Sequence, residues 1–239
     1  MIIPSSLQDL GFLDIPLLAD LNQRSYKVEN EIYLSIEPWA SLRDVFEYVA
    51  CMEHSVSVID KIPRGKELNS GYLTPARYDS VSLVLFAQAT LDNLAAWLNR
   101  VFNIGLKSAG VSFYWPNMAR ALTLIDGDYG NCLAEADAFI QRLNYYRMEW
   151  LHRMSGGAVL CFNAPPDDPS CYPEIMVPLD PLVLTLQHDT EKYLQRIEAI
   201  RAEHDGEWMV PVSEFAHDIK EGVFKLILDL LNISAKNIN

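Results

Sequence analysis

The stretch from Gly130 to Met154, GNCLAEADAFIQRLNYYRMEWLHRM, constrains the fold most strongly. Cys132, Ala136, Phe139, Leu143, Tyr146, Trp150 and Met154 recur at spacings of three and four, the apolar stripe of an α-helix that faces a core. Asn131 is the expected N-cap, Glu135 follows near the positive end of the helix dipole, and Gly156 and Gly157 stop the helix. Arg147 falls on the shoulder of the stripe. His152 lies ~140° further round and points nearly opposite the core. Tyr145, Met148 and Leu151 crowd around His152, so the C-terminal half of this helix is apolar on two sides. One side faces the chain's own core. The other is left for another helix, a partner chain or a pocket.

A second helix is expected from Thr74 to Phe102, with Thr74 as N-cap and Pro75 at its first position. It is apolar around most of its girth, which marks a central helix. One polar line crosses it, made of Gln88, Asp92 and Asn99. Buried polar groups need partners, and Arg147 is the candidate partner of Asp92; the alternative places the line on an exposed edge. Further helices are expected from Pro38 towards Pro63, from Asp180 to Glu203 and from Ser213 to Leu231, with short helical content near Met118–Leu124. Ala158–Pro178 holds two short apolar runs around PPDDPS, the pattern of a hairpin or flap.

The fold class that follows is all-α, a bundle of about five helices with a hairpin inserted after the central helix. Residues 1–37 read as an arm with a short strand at Asn30–Glu37, 38–231 as the bundle with 158–178 inserted, and 232–239 as a polar, fraying tail.

The 239 residues carry a net charge of -13 and half of them are hydrophobic, enough to bury a sizeable core and contrary to generic nucleic-acid coating. There is no N-terminal basic-then-apolar signal and no apolar run approaching the length of a membrane span, so a cytoplasmic protein without a membrane partner is expected. Cys51, Cys132, Cys161 and Cys171 form no CxxC pair and read as reduced thiols, although Cys161 and Cys171 flank one loop. The clusters His188, Asp189, Glu191 and His204, Asp205, Glu207 repeat no known ligand spacing, so no metal and no cofactor are expected. Ser112–Asn117, SFYWPN, sets three aromatics before a proline, either a plug over the core or a base-stacking pocket.

Tyr145–Arg153, YYRMEWLHR, together with Leu91–Asn99, LDNLAAWLN, resembles the HEPN superfamily of helical domains, whose signature is an Arg, four to six residues, then a His near a helix terminus. The resemblance covers most of Pro38–Leu231. It implies a homodimer in which two such motifs meet. It also implies a metal-independent endoribonuclease of a prokaryotic defence or toxin–antitoxin system, restrained by a regulatory partner protein. Arg147 and His152 would be the catalytic pair, with Asp92, Tyr145 and Glu149 in support. Many members carry a polar residue directly after the Arg, where this chain has Met148.

The chemistry is coherent. Attack of a ribose 2′-OH on its neighbouring phosphate needs a proton acceptor and a donor, and histidine serves as either near neutral pH. Arginine stabilises the charge that develops on the phosphate. One copy of each per chain is too few for separate acid and base roles, and a two-fold dimer supplies two. A competing reading pairs Arg147 with Asp92 or Glu149 and makes His152 an interface residue. The chain is then a non-catalytic helical dimer, a module for protein or nucleotide interaction.

Overall fold

A computed structural model describes residues 40–107, 110–153, 157–162, 168, 170–186 and 188–238, and only the backbone of 40, 41, 151–153, 184 and 185. The expected arm, its strand at Asn30–Glu37 and the helix start at Pro38 lie outside the described residues. The helices are α1 (Ala40–Ile59), α2 (Leu73–Val101), α3 (Pro116–Ile125), α4 (Gly127–Arg153), α5 (Thr190–Glu203) and α6 (Val212–Asn237). Three strands, β1 (Val159–Phe162), β2 (Pro173–Pro178) and β3 (Met209–Pro211), form one antiparallel sheet in the order β1-β2-β3. The chain is therefore mainly helical and not strictly all-α.

The expected hairpin is present as β1 and β2, with Val159 opposite Met176 and Phe162 opposite Pro173. β3 corrects the expectation of a plain turn after α5: Met209 pairs with Pro178 and Pro211 with Met176. Ile175 and Val177 alternate inward along β2, the period of a half-buried strand.

The chain divides into two compact units, Met1–Cys51 with Phe86–Arg142 and Glu221–Asn239, and Met52–Leu85 with Leu143–Lys220. α1, α2, α4 and α6 each contribute one part to either unit.

In the first unit, α2 keeps Leu91, Leu94, Trp97 and Leu98 buried, and none of its side chains from Phe86 to Val101 is exposed. The stretch Ser70–Val101 is long and apolar enough to cross a membrane by length and composition, although 56% of its most apolar window is buried inside the protein. A core helix passes the same test.

α3 and α4 are separated only by Asp126, whose carboxylate accepts the Asp128 N–H at 2.9 Å. Asp126 thus caps α4, which corrects the expected cap at Asn131, five residues downstream. The extra turn buries Tyr129, and the N-terminal core face runs through Tyr129, Leu133 and Ile140 rather than Cys132, Ala136 and Phe139. Phe139 is half-buried on the shoulder, against Gly222 of α6. A Cβ at Gly222 would come within 2.4 Å of that ring, so the position requires glycine.

The tail also differs from expectation. α6 continues to Asn237 instead of fraying after Leu231. Ser234 and Ile238 are buried, and Asn237 donates to Asp126 at 2.8 Å.

In the second unit, the helix expected from Asp180 is broken. Asp180 caps the 3-10 turn Pro181–Thr185 by accepting the Leu182 N–H at 2.8 Å, and Asp189 starts α5 afresh by accepting the Lys192 N–H at 3.2 Å. The Arg196 guanidinium returns from α5 to the buried Asp180 carboxylate. Val183, Ile197 and Ile200 close a small core beneath Leu179, Tyr193 and Trp208. Along α1 and α6, Glu53 faces Lys220 at 3.8 Å, Asp60 faces His217 at 3.0 Å, and Arg64 donates to Ser213 at 2.6 Å.

Candidate functional site

The C-terminal half of α4 is held by its inner face. Tyr146 donates its hydroxyl hydrogen towards two carbonyls at the end of β2, at 2.7 Å from Pro178 O and 2.8 Å from Leu179 O. Its ring packs 5.1 Å from Trp150 and 5.1 Å from Phe215, and Trp150 lies 5.6 Å from Phe215. The chain then turns at Gly157, where a Cβ would sit 2.0 Å from the Trp150 indole. Only glycine allows that approach, so the sequence at 157 and the position of Trp150 fix each other.

With Tyr146 and Trp150 turned inward, helical spacing disposes the rest. Arg147 is half-buried on one shoulder and Glu149 is buried on the other. Tyr145 and Met148 are 39% and 43% exposed, the second apolar face expected of this helix. His152 belongs to the last turn of α4 by its backbone, while its side chain, like that of Leu151, lies outside the described residues.

Asp92 is half-buried and accepts the Gln88 amide at 3.1 Å. It falls in the first compact unit and Arg147 in the second. Asn99 holds the loop after α2 by donating to Leu106 O at 3.1 Å and accepting the Leu106 N–H at 3.0 Å. Two of the three residues of the α2 polar line thus hydrogen-bond to each other, and the third anchors a loop.

Other candidate groups resolve differently. Burial pushes the Cys132 thiol up to about 11, and burial also raises that of Cys161, which disfavours the thiolate a nucleophile would need. All four cysteines are free thiols, Cys161 and Cys171 included. Asp189 and Lys192 form an ion pair at 2.9 Å at the start of α5, which accounts for the charged cluster there as a helix cap. Among the described residues no group of three or more His, Cys, Asp and Glu side chains is placed to hold a metal.

The SFYWPN aromatics divide their roles. Phe113 is buried as a plug, Trp115 is half out at 49%, and Tyr114 meets Trp115 edge-on at 4.9 Å. Phe113 and Tyr114 line one end of a groove of about 650 Å³ between α3 and α4, whose wall carries Arg120 and Asp137. The sequence signalled its aromatic end. Arg120 and Asp137 went unnoticed because charged residues on a helix face are ordinary until two helices bring them to one groove.

No protein-family model matches the chain, and neither a curated protein nor a solved structure matches it.

Proposed function

We propose that the chain is a metal-independent endoribonuclease of the HEPN type, cytoplasmic, acting as a homodimer and restrained by a partner protein in a defence or toxin–antitoxin setting. One observation carries the proposal: the backbone of α4 brings Arg147 and His152 into its last two turns, where Tyr146 and Trp150 pin the inner face of the helix. Tyr145 and Met148 are left exposed on those turns, an apolar face for the second copy. In the dimer, one His152 takes the proton of the attacking 2′-OH and the other protonates the leaving 5′-oxygen. The two Arg147 guanidiniums stabilise the charge on the phosphate. Tyr145, in the same compact unit as Arg147, supports the site.

The competing module reading draws on one feature of the same turn. Met148, directly after Arg147, is apolar and 43% exposed where a polar side chain would assist phosphate binding. In that reading the exposed Tyr145 and Met148 serve association alone.

The two readings part in one experiment. Purified protein is incubated with single-stranded RNA in EDTA, and products with a 2′,3′-cyclic phosphate and a 5′-hydroxyl are expected. His152→Ala should lower the rate by roughly 10²–10⁴-fold without shifting the melting temperature, and Arg147→Ala should act likewise. Cleavage that survives His152→Ala in a folded protein would defeat the mechanism. A wild type that cleaves no RNA would leave the interaction module.

A further inference from the structure

The sheet lies in the second compact unit, and its two edges are finished differently. One bond shows which backbone groups face each edge. Leu179 donates its N–H to Trp208 O at 3.0 Å, so that pair, one step beyond the β2–β3 register, is a hydrogen-bonded one. Along an antiparallel ladder such pairs alternate with pairs that do not bond. Val177 therefore bonds towards β3, while Glu174 and Met176 turn their N–H and C=O groups towards Cys161 and Val159 of β1. Two prolines agree with this phase. Pro173 opposite Phe162 and Pro211 opposite Met176 both stand where the ladder needs no N–H.

The free edge of β3 is thus blunted by Pro211, which has no N–H to offer, and α6 begins at the next residue. The free edge of β1 is guarded only at its start, where Arg77 donates its Nε–H to Ala158 O at 2.7 Å. The next outward residues are Leu160 and Phe162. Among the described residues nothing hydrogen-bonds to their outward N–H and C=O groups. Val159–Phe162 holds no charge, no proline and no bulge, and Phe162 is 58% exposed. An edge left this open is a template for another strand.

We propose that β1 pairs antiparallel with β1 of a second copy of this chain, about a two-fold axis beside Cys161. Leu160 of each copy then stands opposite Phe162 of the other, and each of these two pairs exchanges two hydrogen bonds. Every outward group of Leu160 and Phe162 is used, and Ala158 keeps Arg77. A register centred on Leu160 would instead set Phe162 against the Ala158 carbonyl, which Arg77 already occupies. The second copy supplies an extended, apolar strand, and Leu160 and Phe162 of the two copies become cross-strand neighbours. The contact also suits a chain of net charge -13, because no charge meets in it. Glu174, the carboxylate next to Cys161 in the ladder, lies three strand spacings from its mate, ~14 Å, beyond the Debye length of about 8 Å. The proposed RNA site uses none of these residues, so this contact stands apart from that reading.

The test traps the contact through Cys161. On its free side Cys161 occupies a position that does not bond, so the axis sets it opposite its mate with Cα atoms ~4.5 Å apart, a separation that a disulfide spans. Diamide takes one electron and one proton from each thiol as the S–S bond forms. Mildly alkaline conditions favour the reaction, since burial raises the Cys161 thiol. The full chain should yield a covalent dimer whose non-reduced peptides map to Cys161 joined to Cys161. Cys161→Ser should abolish it, and Cys171→Ser should not. Phe162→Pro removes an outward N–H and none of the bonds to β2. By symmetry it deletes two bonds from the contact, and the rate of dimer formation should fall by roughly tenfold or more at an unchanged melting temperature. Phe162→Lys keeps the N–H but charges the edge, and should slow the reaction as well. A chain that forms no Cys161-linked dimer would overturn the proposal. So would a dimer that forms equally fast in both Phe162 variants, or cross-links spread evenly over the four cysteines.

Discussion

In the unit of Met1–Cys51, Phe86–Arg142 and Glu221–Asn239, the polar contacts that tie distant parts of the chain gather where the end of α6 meets the start of α4; the buried one, between Tyr129 and Ser234, is neutral, while Asp126 with Asn237 and the exposed Lys236–Asp128 pair at 3.4 Å involve charge. Tyr129 meets Ser234 at 2.8 Å, Ser234 donates on to Leu230 O at 2.7 Å, and Asn237 reaches Asp126. In the unit of Met52–Leu85 and Leu143–Lys220, they are mostly charged: Glu53 with Lys220, Asp60 with His217 and Arg196 with Asp180. Aromatic rings rather than aliphatic chains anchor its helix α4, through Tyr146, Trp150 and Phe215. Neutral buried bonds do not titrate in the ordinary pH range. Charged pairs that are partly exposed are screened by salt. The second unit, which carries the Arg147–His152 turn, should therefore respond to salt more than the Tyr129–Ser234 end of the first unit does.

The largest expected effect breaks the aromatic anchor. Trp150 is 3% exposed and packs on two other rings, so Trp150→Ala should cost about 3–5 kcal/mol in urea unfolding. Hydrogen exchange should then rise first in α5 and in the β1–β2 pair, within the same unit. A cost under about 1 kcal/mol would mean that Trp150 fills no indispensable space. Uniform acceleration across both units would erase the contrast between them.

The next effect is smaller and lies in the first unit. Tyr129 is fully buried, and burial, opposed by its bond to Ser234, drives its phenol pKa well above the usual value. Tyr129→Phe removes that bond and should cost about 1 kcal/mol. Because neither hydroxyl titrates below neutral pH, the loss in melting temperature should be equal at pH 5 and pH 8. A loss that changes with pH would tie this end of the bundle to the charged network after all.

How far the sequence disclosed these arrangements depended on whether a signal was local. The girth of α2 and the two short apolar runs that form β1 and β2 are local, and both were legible. The cap at Asp126 was missed because the apolar stripe was traced from Cys132, and Tyr129 lies one turn earlier. β3 is only three residues long and has no alternation to detect; its pairing with β2 makes it a strand. SAKNIN looks like a fraying tail until Tyr129 and Asp126, more than a hundred residues away, supply partners for Ser234 and Asn237. At the candidate site, periodicity gave the inward turn of Tyr146 and Trp150 and the outward turn of Tyr145 and Met148. Glu149 was read as a support of the site, and its burial was not legible, because nothing local distinguishes a buried carboxylate from a solvated one.

The smallest effect titrates the second unit directly. Asp79 of α2 is 7% exposed; burial raises its carboxyl pKa above the usual carboxylate range, and His54 opposes the shift. The folded chain thus holds this proton more tightly than the unfolded chain does. Stability from Asp79 is greatest at low pH and declines as pH rises from the unfolded value through the folded one, so at pH 7 the full cost of a buried charge is present. Asp79→Asn removes that charge. The variant should melt at a higher temperature than the wild type at pH 7, by less than Tyr129→Phe lowers it, and the gap should close as the pH falls towards the ordinary carboxylate range. A variant that melts lower at pH 7 would show that His54 more than compensates the burial. The charged network of this unit would then stabilise it at neutral pH even at its most buried carboxylate on α2.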